Sequence, residues 1–264
     1  MKNNIVLFDM DGTLTEAREE FKTELLLDLR KLAQYADIGI LTGSDIDYVK
    51  QQMEKLIKYS ELRYVTHLLP CNGTKHYRPP SSSEDEYTLI HNNEMSKELS
   101  SYCLREVFKT LTSAQADVCF YPIPLTGHFI NYRGSMINWS PIGRNANKYQ
   151  REAFVNYDRE NKFRKSLKRS LETRFDLLCP NKLDVKMGGD TSFDIYPKGW
   201  DKTYTLRHFP DKTVWFVGDR CSPNGNDYEI YESLKDDNLS FQTSGPLETG
   251  QIIRNKIIPR LTEL

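Results

Sequence analysis

The chain has 264 residues, enough for one large domain or for a core with a second, inserted domain. Its 36 Lys and Arg residues balance 37 Asp and Glu residues, so the net charge of −1 lacks the basic excess of a general nucleic-acid-binding protein. The apolar runs are only a few residues long, so we expect no membrane-spanning segment. The 5 cysteines include no CxxC pair, which predicts reduced thiols in a cytoplasmic protein rather than a disulfide framework or a zinc ribbon.

The first third of the chain alternates short apolar runs with helical periodicity. Residues 5–8 and 38–41 are typical of strands that are buried on both faces. Residues 25–32 and 46–56 repeat apolar side chains at helical spacing, and Asp45 stands at an N-cap position. Such alternation favours right-handed βαβ units and a parallel sheet. The Pro- and Ser-rich residues 79–83 have the composition of a linker, but their flanks at 74–77 and 87–90 could equally be two strands, and we favour a hairpin.

The middle of the chain has a different pattern. Strands are predicted at residues 117–121, 127–132, 135–139, 183–187 and 192–196, and a helix is predicted around the apolar positions Phe163, Leu167, Leu171 and Phe175. The α/β pattern returns with a strand at 214–217. We therefore predict the α/β class: a Rossmann-like parallel-sheet core in two parts, 1–91 and 198–264, with an inserted α+β segment at 92–197 that combines an antiparallel sheet with helices.

Two carboxylates follow the first predicted strand directly. Asp9 and Asp11 are two residues apart, so on an extended backbone both side chains point toward one site. In open parallel sheets, ligands bind outside the carboxyl ends of the strands. Two close carboxylates repel each other, and Mg²⁺ both relieves that repulsion and binds phosphate. One carboxylate can then attack phosphorus while the other transfers a proton.

Other polar residues are expected at the same edge of the sheet. Thr42 ends the second predicted strand, Lys202 follows the insert, and Asp219 ends the later strand. An Asp-x-Asp-Gly sequence alone is commonly only a turn. Combined with a hydroxyl, a cation and a further carboxylate, it favours phosphoryl transfer.

This order of motifs resembles the haloacid dehalogenase-like superfamily of phosphotransferases. The resemblance implies that Asp9 is the nucleophile that becomes an aspartyl phosphate and that Asp11 is the general acid/base. Thr42 and Lys202 would hold the phosphoryl oxygens. Asp9, Asp11 (through its carbonyl) and Asp219 would bind Mg²⁺.

Three longer blocks resemble eukaryotic-type phosphomannomutase: SPIGR at 140–144, SFDIYP with GWDK at 192–202, and GDRCSPNGND at 218–227. The resemblance runs from Asp9 to about residue 262 and identifies the insert as a cap domain. The residues that it assigns to the hexose phosphate substrate are Arg18, Arg133, Arg144, Arg151, Ser192 and Asp194. Guanidinium groups of this kind suit a phosphate, and short polar side chains suit sugar hydroxyls.

The resemblance implies an isomerase that interconverts mannose 6-phosphate and mannose 1-phosphate. It would work through an aspartyl-phosphate enzyme, with a hexose 1,6-bisphosphate as intermediate and activator. The family also implies a homodimer joined through the cap and a product used in GDP-mannose biosynthesis. The alternatives are a sugar-phosphate phosphatase with water as acceptor and a non-catalytic phospho-acceptor domain, which would be shorter and lack the second Asp.

One region departs from the family pattern. Tyr231, Ser233 and Asp236 fall where the family has a second cation site, and Ser233 replaces an Asp there. We therefore do not expect that site in its usual form. The preference for mannose or glucose phosphates is left open.

Overall fold

The computed structural model of the protein describes residues 2–223 and 225–263. Asn224, inside the third block of resemblance, lies outside the described residues. The chain divides into two compact units, which we call the first unit (Met1–Asn92 and Asp201–Leu264) and the second unit (Asn93–Trp200). The domain boundaries given above, at 92 and 198, stay a prediction.

The first unit is built on a seven-stranded sheet, in which the strands are numbered in chain order. They are β1 (Asn4–Phe8), β2 (Asp37–Leu41), β3 (Thr66–Leu69), β4 (Lys75–Arg78), β5 (Thr88–Asn92), β10 (Thr213–Gly218) and β11 (Ser240–Gln242). The spatial order is β11-β10-β1-β2-β3-β4-β5, and the pairs from β11 to β3 are parallel. The predicted hairpin is confirmed, because β4 and β5 pair antiparallel. The chain leaves β1 toward β2 on one side and later returns to β10 on the other, which makes the end of β1 a topological switch point.

Helices cover the sheet of the first unit. They are α1 (Leu26–Leu32), α2 (Ile46–Gln52), α3 (Glu54–Ile57), α8 (Tyr228–Lys235), α9 (Pro246–Ile252) and α10 (Ile258–Thr262). The apolar run of β1 is buried on both faces as predicted, since Val6 and Phe8 belong to one core cluster and Ile5 and Leu7 to another. Asp45 occupies the N-cap position of α2, although its side chain makes no capping hydrogen bond.

The second unit has an antiparallel sheet of four strands in the order β6-β7-β9-β8. The strands are β6 (Ile130–Tyr132), β7 (Ile137–Trp139), β8 (Leu183–Gly188) and β9 (Ser192–Pro197), and the helices are α4 (Met95–Glu98), α5 (Ser101–Val118), α6 (Lys148–Asn161) and α7 (Phe163–Leu178). One sheet face packs against these helices through Trp139, Phe193 and Ile195. The predicted α/β class with an inserted α+β segment is confirmed.

The strand predicted at 117–121 is wrong. Helix α5 begins at the N-cap Ser100 and continues to Val118. Val107, Leu111 and Val118 lie at helical spacing and are all buried in the core of the second unit, and this packing decides for the helix. The neighbouring strands are also shorter than predicted, since positive φ angles at Gly127, His128 and Gly134 interrupt the extended backbone.

The expectation of five reduced thiols is wrong for two of them. Cys103 near the start of α5 is bonded to Cys179, the residue that follows α7. The two Cα atoms lie 5.7 Å apart although 76 residues separate them along the chain. Helix packing therefore creates a pair that the cysteine spacing does not reveal. The other three cysteines are not disulfide-bonded: Cys71 and Cys221 are buried, and Cys119 is exposed. In the part of the chain that the structure describes, no helix is both long and apolar enough to cross a membrane.

Candidate active site

Three predicted residues of the first unit stand directly after three adjacent parallel strands. Asp9 follows β1, Thr42 follows β2 and Asp219 follows β10. Because β1 pairs with both β10 and β2, these residues meet at one edge of the sheet. The backbone amide of Asp9 donates to the carbonyl of Val217 at 2.9 Å, which extends the β1–β10 pairing into the site.

A cluster of three carboxylates, the buried Asp9 and Asp227 and the half-buried Asp219, lies around the ammonium group of Lys202. Ligand oxygens of Asp9, Asp219 and Asp227 all lie within 4.8 Å of one another. Nζ of Lys202 donates to Oδ1 of Asp9 and to Oδ1 of Asp227, each at 2.5 Å. Lys202 and Asp227 are 1% and 0% exposed, so both ends of this ion pair are removed from water. Nε of Arg220 lies 3.7 Å from Oδ2 of the half-buried Asp219, so two cations face three acids and a net negative charge remains.

The electrostatics of this carboxylate cluster reflect that excess. Burial raises the pKa of Asp9 well above its usual range, and the ammonium of Lys202 only partly opposes this. Burial and then the charge of Asp227 raise the pKa of Asp219 to about 6. Burial alone would lower the pKa of Lys202, but Asp227 and Asp9 outweigh burial and hold it above the usual value. The cluster therefore gains stability from any further cation beside it.

The donor atoms fit a hard divalent cation. Oδ1 of Asp219 and Oγ1 of Thr13 are buried and have no hydrogen-bond partner among the described residues. Mg²⁺ prefers carboxylate and other oxygen ligands and usually keeps further positions for water or phosphate. The residues present therefore fit Mg²⁺, with Asp9, Asp219 and Asp227 as the side chains that would hold it. A bound Mg²⁺ would polarise the phosphoryl group of a substrate.

Gly12 allows the loop after β1 to approach Asp219, which follows β10. Its φ is +86°, and a Cβ at this position would lie 2.4 Å from Oδ2 of Asp219. A side chain would thus be strained and would also displace a carboxylate of the cluster.

The other predicted residues of the first unit are Asp11, two residues after Asp9, and Arg18 and Thr42. The carboxylate of Asp11 accepts hydrogen bonds from the backbone amide of Arg18 at 2.7 Å and from the hydroxyl of Tyr48 at 3.2 Å. Arg18 itself is exposed and has a positive φ of 66°. Thr42 is buried, and its Oγ1 accepts from the amide of Ser44 at 3.1 Å. The catalytic and substrate roles assigned to these residues stay predictions.

Sequence analysis did not assign a role to Asp227, although it lies in the quoted GDRCSPNGND block. The loop after β10 folds back on itself, so that the amide of Arg220 donates to Oδ2 of Asp227 at 3.0 Å. A Cβ on Gly218 would lie 2.6 Å from the same oxygen. Asp227 is the second acidic residue of that block, and this position could have identified it from the sequence.

The predicted residues of the second unit lie on different elements: Ser192 and Asp194 are on β9, Arg133 and Arg144 flank β7, and Arg151 is on α6. Arg144 donates from Nη1 to Oδ1 of Asn138 at 2.8 Å. Nη1 of Arg133 lies 3.9 Å from Oδ1 of Asp194. Nη1 of Arg151 donates to Oγ1 of Thr191 at 3.3 Å. Asn138 thus links Arg144 to Ser192 and Asp194, and Asp194 in turn lies beside Arg133. Arg151 is bonded to Thr191, the residue before Ser192.

The three residues matched to a second cation site belong to helix α8 and its C-terminal end. Tyr231 and Ser233 lie on α8, and Asp236 follows that helix. The Ser233 hydroxyl donates to the carbonyl of Ile230 at 2.8 Å, so it bonds within its own helix.

Known proteins agree with this architecture. A sequence model described as eukaryotic phosphomannomutase matches residues 24–259. Phosphomannomutase 1 of Dictyostelium discoideum is 36% identical over 256 residues, which cover 95% of each chain. A phosphomannomutase of Arabidopsis thaliana is 36% identical over 233 residues, which cover 88% of each chain.

Solved structures agree on the fold alone. An IMP-nucleotidase of Plasmodium falciparum superposes with a TM-score of 0.63 at 14% identity, covering 100% of this chain and 69% of its own. A trehalose-6-phosphate phosphatase related protein superposes with a TM-score of 0.56 at 14% identity, covering 99% of this chain and 100% of its own. These neighbours confirm the capped α/β fold of the haloacid dehalogenase type. With the sequence relatives covering nearly its whole length, the chain is an enzyme of the eukaryotic phosphomannomutase family.

Proposed function

We propose that this enzyme interconverts mannose 6-phosphate and mannose 1-phosphate. The observation that carries the proposal is the division of charge between two clusters. A buried carboxylate–lysine cluster in the first unit suits phosphoryl transfer with a divalent cation. Arginines around Asn138 in the second unit suit a phosphate that is held without being transferred. The relatives' printed names supply the substrate class.

The transfer step assigns one role to each residue of the first unit. A carboxylate oxygen of Asp9 attacks phosphorus, the bond from phosphorus to the sugar oxygen breaks, and Asp11 gives that oxygen a proton. In the return step Asp11 takes the proton from a sugar hydroxyl while that oxygen attacks the aspartyl phosphate. Lys202 holds Asp9 in place and offsets charge, and Thr42 donates to the phosphoryl oxygens.

A mutase also needs a second phosphate on its intermediate. The resting enzyme takes its phosphoryl group from a hexose 1,6-bisphosphate, which is therefore an activator as well as the intermediate. The bisphosphate formed on the enzyme must present either phosphate to Asp9 while the other is retained. Arg133, Arg144 and Arg151 would retain it, because guanidinium groups grip phosphate regardless of the carbon that carries it.

The alternative is a sugar-phosphate phosphatase that uses the same Asp9 with water as acceptor. Water and a sugar hydroxyl differ little in reactivity, so exclusion of water decides between the two reactions. An enzyme that only hydrolyses one phosphate has no need for three arginines toward a second.

The test is an assay with mannose 1-phosphate and Mg²⁺, with and without glucose 1,6-bisphosphate. We expect mannose 6-phosphate to form and to depend on the bisphosphate, as followed by phosphorus NMR. Inorganic phosphate as the sole product would replace the mutase by the phosphatase. Repeating the assay with glucose 1-phosphate measures the sugar preference.

The proposal also includes a cytoplasmic enzyme, a homodimer joined through the second unit, and a product that enters GDP-mannose synthesis. These parts rest on the family resemblance. Light scattering of the purified protein tests the dimer directly.

A further inference from the structure

Asn138 lies at the centre of the polar cluster in the second unit, although nothing in its sequence context assigns it a role. It is the middle residue of β7, and its Cα partner across the strand pair is Asp194 on β9. Directly paired residues of neighbouring strands project to the same face of a sheet. Ile137 and Trp139, on either side of Asn138, belong to the apolar cluster on the opposite face. Asn138 is thus the polar member of an otherwise apolar strand, and it is only 3% exposed.

The amide of Asn138 joins groups of opposite charge. Its Nδ2 donates to Oδ1 of Asp194 at 2.8 Å and to Oγ of Ser192 at 3.0 Å. Its Oδ1 accepts from Nη1 of Arg144 at 2.8 Å. A guanidinium group only donates and a carboxylate only accepts, so the neighbours themselves determine the orientation of the amide.

We propose that Asn138 is a positioning residue for the hexose phosphate, and that its amide sets the spacing between Arg144 and the pair Asp194 and Ser192. This inference rests on the proposed function, because it takes Arg144 as a phosphate ligand and the pair as ligands of sugar hydroxyls. A guanidinium group and a carboxylate left to themselves would close on each other as an ion pair. The intervening amide satisfies both and keeps them apart, so that each still presents polar atoms to a ligand.

The contacts of Ser192 and Asp194 leave these two side chains little freedom to adopt another arrangement. The Ser192 hydroxyl donates to the carbonyl of Gly188 at 2.5 Å, so its oxygen meets Asn138 as an acceptor. A Cβ on Gly188 would lie 2.8 Å from Oγ of Ser192 and 2.9 Å from Oδ2 of Asp194. The glycine therefore lets β8 approach both side chains. Asn138 supplies their hydrogen bonds from the other side.

The test replaces the amide by a carboxylate of the same shape. Asn138→Asp still accepts from Arg144, but it turns the donor toward Asp194 into a second acceptor and places two carboxylates side by side. For mannose 1-phosphate in the presence of glucose 1,6-bisphosphate, we expect KM to rise about tenfold or more, since a charged hydrogen bond is replaced by repulsion. Hydrolysis of p-nitrophenyl phosphate, which has no sugar hydroxyls or second phosphate, should stay within about twofold.

The matched control is Asn161→Asp. Asn161 is exposed at the end of α6, where its Nδ2 donates to the carbonyl of Tyr157, and the same chemical change there should leave KM unaltered. A swapped variant, Asn138→Asp with Asp194→Asn, restores a donor facing an acceptor and should recover part of the lost affinity. A merely structural role would not produce this recovery together with unchanged hydrolysis of p-nitrophenyl phosphate.

The outcomes separate this inference from the proposed function. A wild-type enzyme without mutase activity contradicts the proposed function. An active wild type in which Asn138→Asp and Asn161→Asp have the same KM overturns the positioning role alone. If Asn138→Asp loses hydrolysis of p-nitrophenyl phosphate as well, Asn138→Ser removes the amide without adding charge, and an unchanged KM in that variant also overturns the role.

Discussion

The two units gather polar residues in two different ways. In the first unit, Asp9, Thr42 and Asp219 each follow a buried parallel strand, so the site forms at the edge where the strands end. In the second unit, Asn138 and Asp194 lie within antiparallel strands and meet across a strand pair. A parallel sheet with both faces covered has only its edge free for chemistry. An antiparallel sheet with one covered face can use its other face.

The two clusters also differ in charge. The first unit gathers three carboxylates, two of them buried, around Lys202, and this excess of negative charge suits a cation. The second unit places Arg133 and Arg144 about Asp194 and Asn138, and this excess of positive charge suits an anion. A net charge of −1 for the whole chain conceals this separation.

The largest effect is expected at the edge of the parallel sheet. Asp9→Asn removes the proposed nucleophile while keeping the shape of the side chain, so we expect kcat to fall by about a thousandfold or more. The measurement is mutase turnover at saturating mannose 1-phosphate. Asp28→Asn is the matched control, because Asp28 is a buried acid of the same unit that pairs with Arg254 instead. Turnover that survives in Asp9→Asn would show that another group attacks phosphorus.

The next largest effect is expected for Lys202, the ammonium group within the carboxylate cluster. Lys202→Met leaves Asp9 and Asp227 buried without their shared donor, so we expect the free energy of unfolding to fall by about 3–5 kcal/mol in the presence of a chelator. Urea unfolding measures this change. Lys235→Met removes an exposed lysine that pairs with Glu232, and it should cost far less, because water screens exposed ion pairs. Equal losses in the two variants would contradict the importance of the buried cluster.

Arg144 provides the corresponding test of the proposed phosphate-binding cluster in the second unit. Arg144→Ala should lower kcat/KM for mannose 1-phosphate by a factor that corresponds to about 2–4 kcal/mol, because a charge-assisted contact to phosphate is lost. Steady-state kinetics of the mutase reaction give this factor. An unaltered kcat/KM would remove Arg144 from the substrate site.

A smaller effect distinguishes the two units by pH. His67, His76, His91 and His208 cluster in the first unit, where Nδ1 of His67 lies 2.8 Å from Nε2 of His76. Burial, reinforced by neighbouring histidines, lowers the pKa of His76 to about 3. The unfolded chain therefore binds the proton more readily than the folded one. The contribution of His76 to the free energy of unfolding is therefore fully present above a pH of about 6.5. It is lost as the pH drops from there toward 3, by up to about 1.4 kcal/mol per pH unit.

Unfolding by urea at several pH values between 4.5 and 7 would measure this slope. His76→Gln should flatten the slope, whereas His128→Gln, at an exposed position of the second unit, should leave it unchanged. The same slope in both variants would show that the buried histidines do not cause the loss of stability in acid.

Much of the fold could be predicted because the decisive signals are local. The apolar runs that form β1, β2 and β10 mark strands buried on both faces, and the apolar positions of α7 repeat at helical spacing. Residues 117–121 contain the same kinds of side chain as a strand, yet Val118 completes the buried face of α5. Local composition does not determine whether this segment is a strand or a helix, because packing against residues distant in sequence determines it.

The sequence by itself determined the fold class, the family, and the residues that directly follow the strands of the parallel sheet. It could do so because a motif next to an apolar run keeps its place wherever that strand lies. Only the tertiary structure joined Cys103 to Cys179, brought Asp227 to Lys202 and placed Asn138 between Arg144 and Asp194. The pairs Cys103–Cys179, Asp227–Lys202 and Asn138–Asp194 each join residues far apart along the chain, and sheet register and helix packing decide which of them meet.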